Sequence, residues 1–128
     1  MIKILLVDEQ ARIRRGVRMR LALEADFAVV GEAGDGWEAL PLVRELKPDV
    51  VLTGLHLPNL DGFALTERLR RDFPACAVVI LTLYDEPANR RRAAEAGAAA
   101  FVSKQAPDQD LVAAIRAAGQ PSPKGSQP

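Results

Sequence analysis

Three stretches of this chain, residues 2–7 (IKILLV), 50–52 (VVL) and 77–82 (AVVILT), are apolar on successive residues instead of on alternate ones. A strand points successive side chains to opposite faces, so a run without alternation leaves no side for water. Strands of that kind belong to parallel sheets with helices on both faces, because a parallel pair needs a long crossover.

Helical patterns lie between the runs. Ile13, Val17 and Leu21 recur at steps of four, with Met19 and Leu23 beside them, which predicts an amphipathic helix over residues 12–25. Five arginines (Arg12, Arg14, Arg15, Arg18 and Arg20) crowd that segment and read as a solvated face whose stems cover apolar surface, with an anionic partner as the alternative. Residues 28–33 form a second strand, and Gly34-Asp35-Gly36 turns into a helix carrying Ala39, Val43 and Leu46, opened by an Asp35/Glu38 capping box. Pro41 inside it predicts a kink or a late start. Leu65, Leu69 and Phe73 space a third helix, capped by Asp61, with Leu60 stapled to Leu65 and Pro74 as its end. Asp85 is the expected cap of a fourth helix, with Pro87 in its first turn and Gly97 at its end; it has only alanines to bury, which makes it weakly anchored. Its Arg90-Arg91-Arg92 run reads as solvated. Residues 99–103 (AAFVS) are a fifth strand, and Pro107 opens a last helix that buries Leu111 and Ile115. Five strands alternating with five helices predict an α/β fold with a doubly wound parallel sheet, one domain over residues 1–118. Residues 119–128 (GQPSPKGSQP) have nothing to bury and read as a linker or disordered tail.

Charge and composition exclude several functions. Seventeen basic and seventeen acidic residues among 128 leave no net field, which argues against nucleic acid binding by this chain. Cys76 is the only cysteine, so there is no internal disulfide and no multi-cysteine metal site; its apolar neighbours make it a buried, inert thiol. No leader is visible and no apolar run approaches the roughly 18 residues of a membrane span, so a cytoplasmic protein without membrane contact is expected. The glycines of GEAGDG stand as GxxGxG and not GxGxxG, which speaks against a dinucleotide loop.

The strands other than the second end at a polar residue or a turn glycine: Asp8 and Glu9, then Gly54, then Thr82, then Lys104. Parallel strands bring those ends to one edge, where open α/β sheets bind ligands. Two carboxylates, a hydroxyl and an ammonium suit a divalent cation with a phosphoryl group: hard oxygens hold Mg²⁺, and the hydroxyl and ammonium grip phosphate oxygens.

In this order and spacing LLVDEQ, DVVLTGLHLPNLDG, VVILTLYD and GAAAFVSKQAP resemble the receiver domain of bacterial two-component response regulators. VVGEAGDGWEAL, VRELKPDVVL and SKQAP are most similar to receivers of LuxR/NarL-type transcriptional regulators. The resemblance implies the CheY-like, flavodoxin-type sheet of order 2-1-3-4-5. It also implies roles: Asp8 and Glu9 as the Mg²⁺ acids, the His56 backbone carbonyl as a loop ligand, Thr82 and Phe101 as the switch pair, and Lys104 as the phosphate-binding lysine. The phosphoacceptor aspartate of the family falls on Gly54, which has no side chain to attack a phosphohistidine or ligate a metal, so Mg²⁺ binding is expected to be weak or absent. Asp49 lies at the opposite end of the strand, Asp61 falls in the capping turn, and Thr53 should point away from the crevice.

The expectation is a non-enzymatic, degenerate receiver, independent of phosphorylation, acting as an interaction or dimerisation module in transcriptional control. Its partner surface would be the fourth helix with the fifth strand and helix. Partners implied by the resemblance are a histidine kinase, a second copy, or a DNA-binding domain beyond the C-terminus. The alternative is an ordinary phosphoryl-accepting receiver carrying an aspartate-to-glycine substitution at 54, natural or engineered. A small-ligand sensor using the emptied crevice is a third reading. Gly54→Asp would crowd a third carboxylate against Asp8 and Glu9, lowering stability without Mg²⁺ and restoring a metal response.

Overall fold

A computed structural model describes residues 1–120. Strands β1 (Ile2–Val7), β2 (Phe27–Ala33), β3 (Val50–Thr53), β4 (Ala77–Thr82) and β5 (Ala100–Ser103) alternate with helices α1 (Ala11–Leu21), α2 (Gly36–Leu46), α3 (Gly62–Asp72), α4 (Pro87–Ala96) and α5 (Asp108–Gly119). All strand pairs are parallel, and the sheet order is β2-β1-β3-β4-β5, as the resemblance implied.

The unalternating runs account for this architecture. Along β1, β3 and β4, one set of alternate residues (Leu5, Val7, Val51, Val78, Ile80) packs under α2, α3 and Ala93 of α4. The other set (Ile4, Leu6, Val50, Leu52, Val79, Leu81) packs under Val17 and Leu21 of α1 and Leu111 and Ile115 of α5. Ile4, Leu5, Val50, Val51, Val78 and Ile80 have no accessible surface at all. Both faces of the central sheet are dry, so neither helical layer is dispensable.

Local chemistry sets the ends of the helices. Glu38 N–H donates to Asp35 Oδ1 at 2.7 Å and Gly34 N–H donates to Glu38 Oε1 at 2.6 Å, a capping box whose return bond reaches one residue further back than usual. Ala64 N–H donates to Asp61 Oδ1 at 2.9 Å, opening α3 as expected. Gly97 closes α4 at φ +103°, a conformation that favours glycine.

Several expectations are corrected. α1 stops at Leu21 and not near Ala25, because Leu23 and Glu24 donate to Arg20 and Leu21 three residues back and tighten the chain into a turn. Met19 and Leu23 are 66% and 83% exposed; the buried stripe is Val17 and Leu21. α2 runs from Gly36 through Pro41 without a break, since Pro41 faces solvent while Ala39 and Val43 anchor the inner face. Asp85 does not cap α4: Glu86 holds the cap position without its side chain accepting from a backbone N–H of the helix, and Asp85 pairs with Arg90 instead. Gly119 is not in a loose tail but ends α5 packed on Ile2, where a Cβ would come within 2.7 Å of that side chain. The rest of the predicted tail, residues 121–128, lies outside the described residues. α4 buries only Ala93 and Ala96, as its sequence indicated.

Arg116 of α5 ties the far end of the sheet, bonding Asp26 Oδ2 from Nε and Glu24 Oε1 from Nη2, each at 2.9 Å. The Arg116 bond holds the Asp26 carboxyl below its usual value of 3.8, and the bonds from Glu38 N–H and Asn59 do the same for Asp35. A carboxyl depressed in the folded state contributes stability that is complete above its unfolded pKa and lost as pH falls through its folded pKa. Asp26→Asn should therefore lower the melting temperature at neutral pH and flatten the acid limb of a stability–pH curve below 3.8, read by circular dichroism.

Candidate functional site

The hydrogen-bond ladders run past the ends of the strands and fix what lies beyond them. Asp8 N–H donates to the Ala33 carbonyl at 3.1 Å, Gly54 N–H to the Val7 carbonyl at 3.0 Å, and Lys104 N–H to the Thr82 carbonyl at 2.8 Å. Backbone pairing thus sets Asp8 beside Gly54, and Lys104 beside Thr82. A crevice of about 220 Å³ opens at this edge, and Asp8, Glu9, Gly54, His56, Thr82 and Lys104 all line it.

Phe101 is the predicted site residue that does not join them. It sits in β5 opposite Ile80, half-buried against the α3–α4 side of the core, with the Arg90 guanidinium 4.9 Å from its ring centre. It borders a separate groove of about 470 Å³ beside Asp85, Arg90 and Gln105. Thr53 is absent from the crevice lining, as alternation required; it is 1% exposed and its hydroxyl donates to the Gly54 carbonyl at 2.9 Å.

Two participants were not singled out from the sequence. Tyr84 stands edge-on to His56, ring centres 4.5 Å apart, at the mouth of the crevice; its N–H donates to Thr82 Oγ1 at 3.1 Å. An aromatic two residues past a polar strand end is the signal that would have found it. Arg14 belongs to the arginines read as solvated, yet it turns inward: its Nε meets Glu32 Oε1 at 2.9 Å and its Nη1 donates to the Asp8 backbone carbonyl.

Inside the crevice the charges pair with each other. Lys104 Nζ lies 3.5 Å from Asp8 Oδ2, and Gln10 N–H donates to Asp8 Oδ1 at 2.9 Å. Glu9 is exposed. Asp49 and Asp61 are committed elsewhere, Asp49 accepting from Lys3 N–H at 2.8 Å and Asp61 capping α3.

The glycines of the loop have opposite requirements. A Cβ on Gly62 would stand 2.3 Å from the Gly54 carbonyl oxygen and 2.9 Å from Leu55 Cα, and one on Gly36 would stand 2.3 Å from the Leu60 carbonyl oxygen. Both contacts are with backbone that cannot swing away, so these positions admit nothing larger. At Gly54 a Cβ would meet only Asp8 Oδ2, at 3.4 Å, and φ is negative or extended. Nothing in the packing requires glycine there.

A parallel sheet of this order, with its crevice at the point where the winding reverses between β1 and β3, defines the CheY-like class of flavodoxin folds. The sequence profile of the response regulator receiver domain matches residues 4–116, and the chain belongs to that family. Response regulator GacA of Pseudomonas aeruginosa is 41% identical over 116 residues, covering 91% of this chain and 54% of GacA. The signal receiver domain of the response regulator NarL from Mycobacterium tuberculosis superposes with a TM-score of 0.87 at 31% identity, over 92% of this chain and 95% of that one. A LuxR-family two-component response regulator from Aurantimonas sp. superposes with a TM-score of 0.89 at 36% identity, over 93% and 85%. The chain spans about half the length of the curated relatives it matches.

Receiver domains generally bind Mg²⁺ at the acceptor site. The residues gathered here do not fit that ion as they stand. Asp8 has one carboxylate oxygen on a backbone N–H and the other facing an ammonium. Among the described residues no group of three or more acidic, histidine or cysteine side chains is placed to hold a metal.

The contrast between the glycines is measurable by urea unfolding. Gly54→Ala should stabilise the protein by about 0.4–1 kcal/mol, through the lower entropy of the unfolded chain. Gly62→Ala should destabilise it by about 1–3 kcal/mol, the usual cost of overpacking.

Proposed function

We propose that this receiver is a degenerate one, with Gly54 at the phosphoacceptor position, and that it works by protein interaction without phosphorylation. The observation that carries the reading is the C-terminal end of β3: next to Asp8, where a side chain would fit, Gly54 offers no carboxylate. Phosphoryl transfer to a receiver needs an oxygen nucleophile aimed into the crevice. Asp8 is paired with Lys104, Glu9 is exposed, and Asp49 and Asp61 are bonded outside the crevice. Thr82 already accepts the Tyr84 N–H.

Without a phosphoryl input, the balance between conformations is set by sequence and by partners. Reversing a 1:99 equilibrium takes about 5.5 kcal/mol of differential binding. The surface proposed for this is α4 with β5 and α5, where α4 rests on two alanines and the groove beside Phe101 adjoins the Asp85–Arg90 pair. A cytoplasmic transcriptional regulator is the proposed setting. Its partners would be a histidine kinase, a second copy, or a DNA-binding domain joined beyond the segment that follows the receiver, which runs to the end of α5 at Gly119. One relative of the same fold, RcsB from Salmonella enterica, has been solved bound to a promoter.

A second reading has its own support: Asp8, Thr82 and Lys104 still line one crevice, and position 54 has room for a side chain. In that reading the chain is an ordinary phosphoryl-accepting receiver altered only at 54. Intact mass after incubation with acetyl phosphate and Mg²⁺ separates the two. The native chain should gain no phosphoryl mass, and a stable adduct would sink the proposal. Gly54→Asp should fold; if it gains the adduct, the surrounding machinery is intact and a single position separates the two states.

A further inference from the structure

We propose that the Lys104 ammonium is the resident cation of this crevice, and that its pairing with Asp8 closes the site to divalent metal. The inference rests on the reading of Gly54 as a vacated acceptor position. It goes beyond that reading, since a receiver without an acceptor could still bind Mg²⁺ through its acid pair.

One oxygen connects the observations. Asp8 Oδ2 is the atom that Lys104 Nζ approaches at 3.5 Å, and it is also the atom that a Cβ on Gly54 would touch at 3.4 Å. A carboxylate at 54 would enter the space beside that oxygen and offer the ammonium a second partner. With glycine, Lys104 has Asp8 to itself. The other oxygen of Asp8 takes the Gln10 N–H, so each carboxylate oxygen already faces a donor. Behind it Arg14, its charge paired with Glu32, donates from Nη1 to the Asp8 backbone carbonyl.

Charge balance points the same way. Asp8 and Glu9 supply two negative charges, and Lys104 cancels one of them. A dication added to that set leaves the crevice net positive, with metal and ammonium in competition for one oxygen. Mg²⁺ sheds water reluctantly and is held by carboxylate charge. An opposite charge within about 4–6 Å shifts the proton equilibrium of a carboxylate by one to three powers of ten, and an ammonium that favours the carboxylate over its protonated form also opposes a second cation on it. The backbone of Lys104 is fixed by its N–H on the Thr82 carbonyl, and its side chain is 25% exposed, with the ammonium in the crevice beside Asp8.

The pairing also has a mechanical side. Lys104 follows β5 and Asp8 follows β1, so their contact crosses the ends of β3 and β4. The ion pair bridges the mouth of the sheet.

Mn²⁺ is the probe, with free Mn²⁺ read by electron paramagnetic resonance at low ionic strength on the 128-residue chain. The native chain should show no saturable one-to-one binding. Lys104→Met should bind Mn²⁺ at least about tenfold more tightly. Lys104→Arg, which keeps the charge, should resemble the native chain, and adding Asp8→Asn to Lys104→Met should abolish the gain. Circular dichroism verifies folding, and Lys104→Gln replaces any methionine variant that fails to fold. One-to-one binding by the native chain, or no gain in either neutral variant, would overturn the inference. The acetyl phosphate experiment reports on the underlying reading separately: tight Mn²⁺ binding with no adduct removes only the present inference, whereas an adduct removes the reading beneath it.

Discussion

Dry burial of the central sheet on both faces is the constraint on which the rest of this molecule depends. Ile4, Leu5, Val50, Val51, Val78 and Ile80 are sealed from water, so every side chain along the middle of β1, β3 and β4 is spent on packing. At roughly 25 cal/mol per Å² of apolar surface, each such residue contributes on the order of 1.5–3 kcal/mol before chain entropy is set against it. Polar chemistry is driven out of the strands to their ends. Because the strands are parallel, those ends share an edge, and the ladder bonds to Ala33, Val7 and Thr82 carry the register out to Asp8, Gly54 and Lys104. The crevice is a product of the core, not an addition to it.

Anchoring is uneven around that core. α3 buries Phe63, Leu65, Thr66 and Leu69, whereas α4 buries two alanines and otherwise makes exposed contacts, among them the Asp85–Arg90 pair and the Arg90 and Arg92 guanidiniums over Phe101 and Phe63. Elements with little buried apolar surface open at low free energy, so α4 is the less firmly anchored of the two. The opposite end is fixed by Arg116 on Asp26 and Glu24 and by the contact of Gly119 with Ile2. The Asp8–Lys104 pair lies at the C-terminal edge of the sheet, joined by backbone to β1 and β5.

What the sequence disclosed follows from where the information resides. Unalternating runs specify strands buried on both faces, and polar residues at their ends specify the crevice, so Asp8, Gly54, Thr82 and Lys104 were legible together. The sheet order and the interest of Phe101 came from family resemblance; no periodicity contains either. Side-chain direction was the weakest point. Helical spacing placed Arg14 on α1 but could not show that its guanidinium folds inward onto the Asp8 carbonyl. A cap motif placed Asp85 before α4 but could not weigh the cap against an arginine five residues on. Met19 and Leu23 fall within the apolar spacing of α1, yet that spacing carries no sign of the point at which the helix turns away and leaves them exposed. Asp61-Gly62 was read as a turn and a cap, and only the folded chain reveals that Gly62 lies against the backbone of Gly54 and Leu55.

That last contact has a consequence for how such a domain can change. The loop after β3 is assembled backbone against backbone, through Gly62 on Gly54 and Gly36 on Leu60, and a Cβ at position 54 meets none of that backbone. The residue that decides the chemistry is therefore among those that folding scrutinises least. Replacing it leaves the scaffold intact, and a lineage can exchange a chemical switch for a constitutive contact in one step without passing through a misfolded ancestor.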